Sequence, residues 1–229
     1  MNIIVCGDSW ATPDKRIPGA HFSEILADKY KFTVTNLARG GISNIGICFQ
    51  LQHALTNMAP TVIILCSTDS DRLNFAVGDY KPEHGLKNIR YTDDVSATCG
   101  SPFVGDDDAP VIDDVALVLA QGNDWTRPSK SKKYKLTSAQ WEAIRQYVTY
   151  LHNREMQMTI DTWALQYWMM TASARKIPIL DFHDYWDIIY QKHNIPSSGN
   201  GHYVFHTEPS LQIEIAELVV NDLKGKGLI

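Results

Sequence analysis

The sequence predicts an α/β fold of three layers, α/β/α, with a parallel sheet between two layers of helices. Three observations carry this. Short apolar runs with no polar alternation occur at 2–6 and 61–66, as expected of strands buried on both faces. Amphipathic helical stretches lie between the strand-like runs. The first 66 residues therefore run strand, helix, strand, helix, strand, the alternation that parallel strands with crossover helices produce.

Each element has its own reason. The run "NIIVC" (2–6) is bounded by Gly7. In 18–30, Phe22, Ile25, Leu26 and Tyr30 form one helical stripe. "KFTVTNLA" (31–38) alternates as a second strand, and "RGG" (39–41) ends it. Ser43 or Asn44 caps a helix with Ile45, Cys48, Leu51 and Leu55 on its inner side. Pro60 precedes the third strand, "TVIILC" (61–66).

The rhythm then breaks. Residues 73–134 hold "GDDDAPVIDD", the basic "RPSKSKKYK" and a single clearly apolar run, 115–120. A loop of this length inside a compact domain is usually functional, so it reads as an inserted lid or interaction segment in one domain spanning 1–229. The acidic run 106–108 reads as a solvated face.

Order returns at Thr137, which with Gln140 forms a capping-box pattern ahead of Trp141, Ile144, Tyr147, Val148 and Leu151. A second helix over 155–174 carries Trp163, Tyr167, Trp168 and Met169, expected to pack in the core. "IPILDF" (177–182) is a further strand. The last helix, about 209–223, is expected to turn Ile213, Ala216, Leu218 and Val219 inward.

Composition excludes several functions. A formal charge of −5 leaves no basic footprint for nucleic acid. No stretch reaches the roughly 18–20 apolar residues that span a bilayer. The first strand starts at residue 2, which leaves no room for a signal peptide and predicts the cytosol. Cys6, Cys48, Cys66 and Cys99 lack metal-ligand spacing, so no metal site is expected, and Cys6 and Cys66 read as reduced core residues.

Ligands of open parallel sheets bind at the carboxyl ends of the strands. Four polar segments fall there: Gly7-Asp8-Ser9, Arg39-Gly40-Gly41, Ser67-Thr68-Asp69, and the loop with His202 and His206. Taken alone, Ser9 reads as a turn cap, Gly40-Gly41 as a strand-to-helix turn, and His206 as a neighbour of a helix cap. Asp8 is expected to brace its turn through backbone hydrogen bonds. Asp181 and Asp184 read as strand-end carboxylates.

Together, and in this order, the segments resemble the SGNH (GDSL-type) hydrolase family. "VCGDSW" resembles its first block, which places a nucleophilic serine after strand one. "TNLARGGIS" (35–43) resembles the second, whose backbone donor corresponds to Gly41. "VIILCSTDSDR" (62–72) stands where the third block, with Gly-x-Asn-Asp, belongs. "HTEPSLQIEIAEL" (206–218) resembles the last block, and Ala216-Glu217 selects His206 as its histidine. The spacing from Thr68 to Arg72 is most similar to members encoded by tailed phages, which would place the chain in a host cytoplasm or a virion.

The resemblance implies a flavodoxin-like sheet of the SGNH type and a serine esterase that needs no cofactor. Its substrates would be small acyl esters or carbohydrate O-acyl esters, hydrolysed through an acyl-Ser9 intermediate. His206 would act as base, with His202 as its rival. The oxyanion hole would comprise the N–H groups of Ser9 and Gly41 and a side chain from 67–69, with Thr68 and Asp69 as the named candidates. Two departures stand out. Asp69 replaces the family's Asn, and an ionised carboxylate would repel an oxyanion, so the Thr68 hydroxyl is the better donor. Tyr203 replaces the Asp three residues before the histidine, which implies a Ser-His dyad. The competing reading is a weakened SGNH scaffold kept as a carbohydrate-binding or structural phage module. A flavodoxin-like nucleotide binder is disfavoured, because the turn after strand one lacks a phosphate loop.

Overall fold

The computed structural model describes residues 1–14, 17–39, 42–68, 150–195 and 208–229, the backbone of strands 72–77, 89–91, 103–105 and 111–118, and helical residues 139, 142–143 and 146–147. Its elements are β1 (Asn2–Gly7), α1 (Phe22–Asp28), β2 (Thr33–Asn36), α2 (Asn44–Asn57), β3 (Val62–Cys66), β4 (Arg72–Val77), β5 (Ile89–Tyr91), β6 (Phe103–Gly105), β7 (Val111–Val118), α3 (Arg154–Ala174), β8 (Ile179–Asp181), α4 (Phe182–His193) and α5 (Pro209–Gly225). The fold is the three-layer α/β/α, flavodoxin-like class: an all-parallel sheet in the order β2-β1-β3-β8, flanked by helices. Among the described residues no helix is long and apolar enough to cross a membrane.

The chain divides into two compact units. The first comprises Met1–Ala38, Ala54–Ser67 and Ala172–Ile229 and holds the parallel sheet. β1 is central: Ile4 is registered with Thr35 of β2 on one side and Ile63 of β3 on the other. Ile3, Val5, Val62 and Ile64 point to one face, where Phe22, Leu26, Phe182, Leu211, Ile215 and Val219 close over them. The alternate residues Ile4, Cys6, Ile63 and Leu65 are also buried, so both faces are covered. Full burial of each such aliphatic side chain contributes about 1.5–3 kcal/mol, which is why these runs lack polar alternation. Gln212 of α5 accepts a hydrogen bond from the Phe22 N–H (3.0 Å), tying the start of α1 to a helix 190 residues away.

Two expectations on helices change here. In α5 the buried stripe is Leu211, Ile215, Ala216, Val219, Val220 and Leu223. Ile213 is exposed and Leu218 half-buried, so the helix is rotated from the predicted face. α4 has no counterpart in the sequence reading. It begins directly at the end of a three-residue strand, with Asp181 as N-cap accepting from the His183 N–H. The spacing of its buried Phe182, Tyr185, Trp186 and Ile189 was the available signal.

The second unit comprises Arg39–His53 and Thr68–Thr171. Ser43 caps α2 by accepting from the Gly46 N–H (3.3 Å). The described residues of the expected insertion are strands: β4 pairs antiparallel with β7, and β5 with β6. Asp113 and Asp114 interrupt the apolar pattern of β7, and three-residue strands are too short to show a period. α3 also departs from expectation. Trp163, Tyr167 and Met169 are exposed rather than in the core, and Trp168 is half-buried. The capping pair Thr137 and Gln140 lies outside the described residues.

Candidate functional site

Ser9 stands just past the carboxyl end of β1, in a turn held on both sides. Asp8 is fully buried, and its Oδ1 accepts from the Trp10 N–H (3.0 Å) and from the Cys66 Sγ–H (3.6 Å). The Asp8 carbonyl accepts from the Ala11 N–H and the Thr12 hydroxyl. Trp10 sets its ring edge-on to Trp186 of α4, with centroids 4.1 Å apart. The residues flanking Ser9 are thus committed to the protein interior. The Ser9 side chain is half-buried, and among the described residues nothing hydrogen-bonds to its hydroxyl.

Gly7 explains how the turn comes so near β3. A Cβ on Gly7 would lie 2.6 Å from the Cys66 Cβ and 2.8 Å from its carbonyl oxygen, so only glycine allows this approach. Asn36 braces the same edge from β2. Its Nδ2 donates to the Ala11 carbonyl (2.7 Å) and the Ser23 hydroxyl (3.0 Å), and its Oδ1 accepts from the Ala38 N–H (2.9 Å).

Sequence reasoning placed Ser67 at this edge but missed its histidine partner. Ser67 follows β3, and its Oγ lies 3.1 Å from Nε2 of His183, the second residue of α4. The same Nε2 lies 3.1 Å from the Ser67 carbonyl oxygen. A carbonyl only accepts, so Nε2 carries the proton and donates to it. His183 in this geometry is a donor toward Ser67 and not its base. The Ser67 hydroxyl, whose lone pair faces that N–H, keeps its own proton for another acceptor. Asp181 turns its carboxylate to the His183 backbone as an N-cap.

Thr68, in the second unit, is clamped through its backbone. Its N–H donates to Asn44 Oδ1 (2.9 Å) and its carbonyl accepts from Asn44 Nδ2 (2.7 Å). Asn44 also donates to the buried carboxylate of Asp161 (3.2 Å), whose other oxygen takes the Gln157 amide (2.7 Å). Gly41, Asp69, His202, Tyr203 and His206 lie outside the described residues, as do residues 78–88, 92–102, 106–110 and 119–134 of the expected insertion.

The three described cysteines are buried and hold their protons. Burial pushes the Cys66 thiol far above its ordinary range, and the Asp8 carboxylate beside it adds to the shift. Burial likewise raises Cys6, and it raises Cys48 to about 12 with a smaller contribution from Asp161. The hydroxyls of Ser9 and Ser67 are therefore the nucleophile candidates at the described sheet edge. No protein-family model matches the chain, and no curated protein matches it significantly.

Proposed function

We propose that the protein is a serine ester hydrolase with Ser9 as nucleophile. The observation that carries this reading is the Ser9 turn itself: a hydroxyl with no partner among the described residues, at the carboxyl end of the central parallel strand, between two anchored neighbours. The order of the sequence blocks assigns the remaining roles. Ser9 Oγ attacks the ester carbonyl carbon while His206 takes its proton, and that proton passes to the departing alcohol. Water then attacks acyl-Ser9, giving its proton to His206, which returns it to Ser9 as the acid leaves. The N–H groups of Ser9 and Gly41 and a hydroxyl from 67–69 stabilise the oxyanion, each donor being worth about 3–4 kcal/mol. The family pattern puts its donor at Asp69, the Thr68 hydroxyl is the better donor on physical grounds, and the Ser67 hydroxyl supports a second choice. Asp69 serves only if its carboxyl is protonated or turned away. Small acyl and carbohydrate O-acyl esters are the substrate classes.

The test is covalent labelling by a fluorophosphonate beside hydrolysis of an activated acetyl ester. Wild type is expected to label and hydrolyse, and Ser9→Ala to do neither while keeping its melting temperature. Equal hydrolysis by Ser9→Ala overturns the assignment. A wild type that neither labels nor hydrolyses favours a scaffold kept for binding.

A further inference from the structure

One face of α3 looks outward although its residues suit a core. Met156, Ile160, Trp163, Tyr167 and Met170 follow one another at spacings of four, three, four and three. This is the a/d rhythm of a helix that packs along a second helix. In a surface helix such a stripe turns inward, yet here the five are 64%, 38%, 67%, 62% and 72% exposed.

The flanks of the stripe are also suited to burial. From Met156 to Ala174 the one charged residue is Asp161, which is buried and takes hydrogen bonds from Asn44 and Gln157. Thr159, Thr162 and Thr171 are hydrogen-bonded through their hydroxyls to the carbonyls of Glu155, Met158 and Tyr167, four residues back. That satisfies the hydroxyls within the helix. Covering this face therefore strands few polar groups.

We infer that this face of α3 is a homodimer interface, in which the stripe packs against the same stripe of a second copy of the chain. The pattern is self-complementary, as a two-fold interface requires. The face carries no exposed charge between Met156 and Ala174, so two copies meet without like-charge repulsion and no oppositely charged partner is selected. With aromatic side chains presenting on the order of 200 Å2 each and the others somewhat less, the five exposed parts sum to roughly 600 Å2 per copy. Two copies would then bury about 1,200 Å2, which reaches the range of stable interfaces before any flanking residue is counted. The same area left open would equal the largest apolar patch typical of a monomer, roughly 300–600 Å2.

The experiment is sedimentation equilibrium on the full chain from 1 to 100 µM, with Trp163→Lys and the double variant Trp163→Lys/Met170→Lys beside it. Wild type is expected to give twice the chain mass. The double variant is expected to give the monomer mass, with unchanged far-ultraviolet circular dichroism and cooperative unfolding. The single variant is expected to shift the dissociation constant at least 100-fold. A monomeric wild type at 100 µM overturns the inference, including one that co-sediments with phosphatidylcholine vesicles, which would assign the face to lipid. A folded double variant that stays dimeric overturns it as well, because another surface then holds the copies together.

Discussion

The Nε2 atom of His183 stands 3.1 Å from both the hydroxyl and the carbonyl oxygen of Ser67, joining the carboxyl end of β3 to the first turn of α4. The two residues are 116 positions apart in the chain. Because the carbonyl can only accept, neutral His183 is expected to be the Nε2–H tautomer, read by two-bond nitrogen–proton correlation spectra at pH 8. An Nδ1–H tautomer would reject the assignment. His183→Gln, which keeps a donor at the ring-nitrogen position, should unfold near the wild-type urea midpoint. His183→Ala should lose about 0.5–1.5 kcal/mol.

Asp8 positions Ser9 by satisfying the Trp10 N–H from inside the protein. Replacing it with Ala leaves that donor without its acceptor, at a cost of about 1–3 kcal/mol. Asp8→Asn retains one acceptor oxygen and should lose less. Urea unfolding with linear extrapolation measures both, and equal stability of Asp8→Ala and wild type would remove the bracing role.

Gly7→Ala is expected to destabilise by about 1–3 kcal/mol, because the new methyl overlaps the Cβ and carbonyl of Cys66 and neither belongs to a flexible side-chain end. The ester hydrolysis assigned to Ser9 should fall further than stability does, since β1 and β3 must separate at the point where the turn begins. Comparing residual activity with the folded fraction, both at 20 °C, separates the two effects.

The buried thiols set an alkaline limit. Cys6, Cys48 and Cys66 all hold their protons more tightly when folded, by burial first. Between an unfolded pKa near 9 and the raised folded values, the unfolded chain binds fewer protons than the folded one. Stability therefore falls as pH rises through this window, by up to about 1.4 kcal/mol per pH unit for each thiol. Below pH 8 the contribution is fully present. Urea midpoints from pH 7 to 11 should decline above pH 9. Replacing Cys48 with Ser or Ala, whose side chains do not titrate in this range, should make the decline shallower. At pH 8 the three thiols should resist iodoacetamide until the protein unfolds.

The sequence by itself determined the parallel sheet's main strands and most of its helices. β1 and β3 are short apolar runs ended by Gly7 and preceded by Pro60, and these signals act within a few residues. Ser9's place at a strand end followed from the same local punctuation, as did the bracing by Asp8. α4 was missed, although the spacing of Phe182, Tyr185, Trp186 and Ile189 carried its signal. In 72–118, β5 and β6 are too short to show a period, and Asp113 and Asp114 interrupt β7.

Only the tertiary structure decided which residues meet and which faces are covered. Strand order and register bring Asp8 to Cys66, Ser67 to His183 and Phe22 to Gln212. No local pattern marks such partners, because each bond is made across the fold. The same holds for α3. Periodicity shows that its Met and aromatic residues form a stripe, but exposure depends on what else packs there, and in this chain the stripe faces outward.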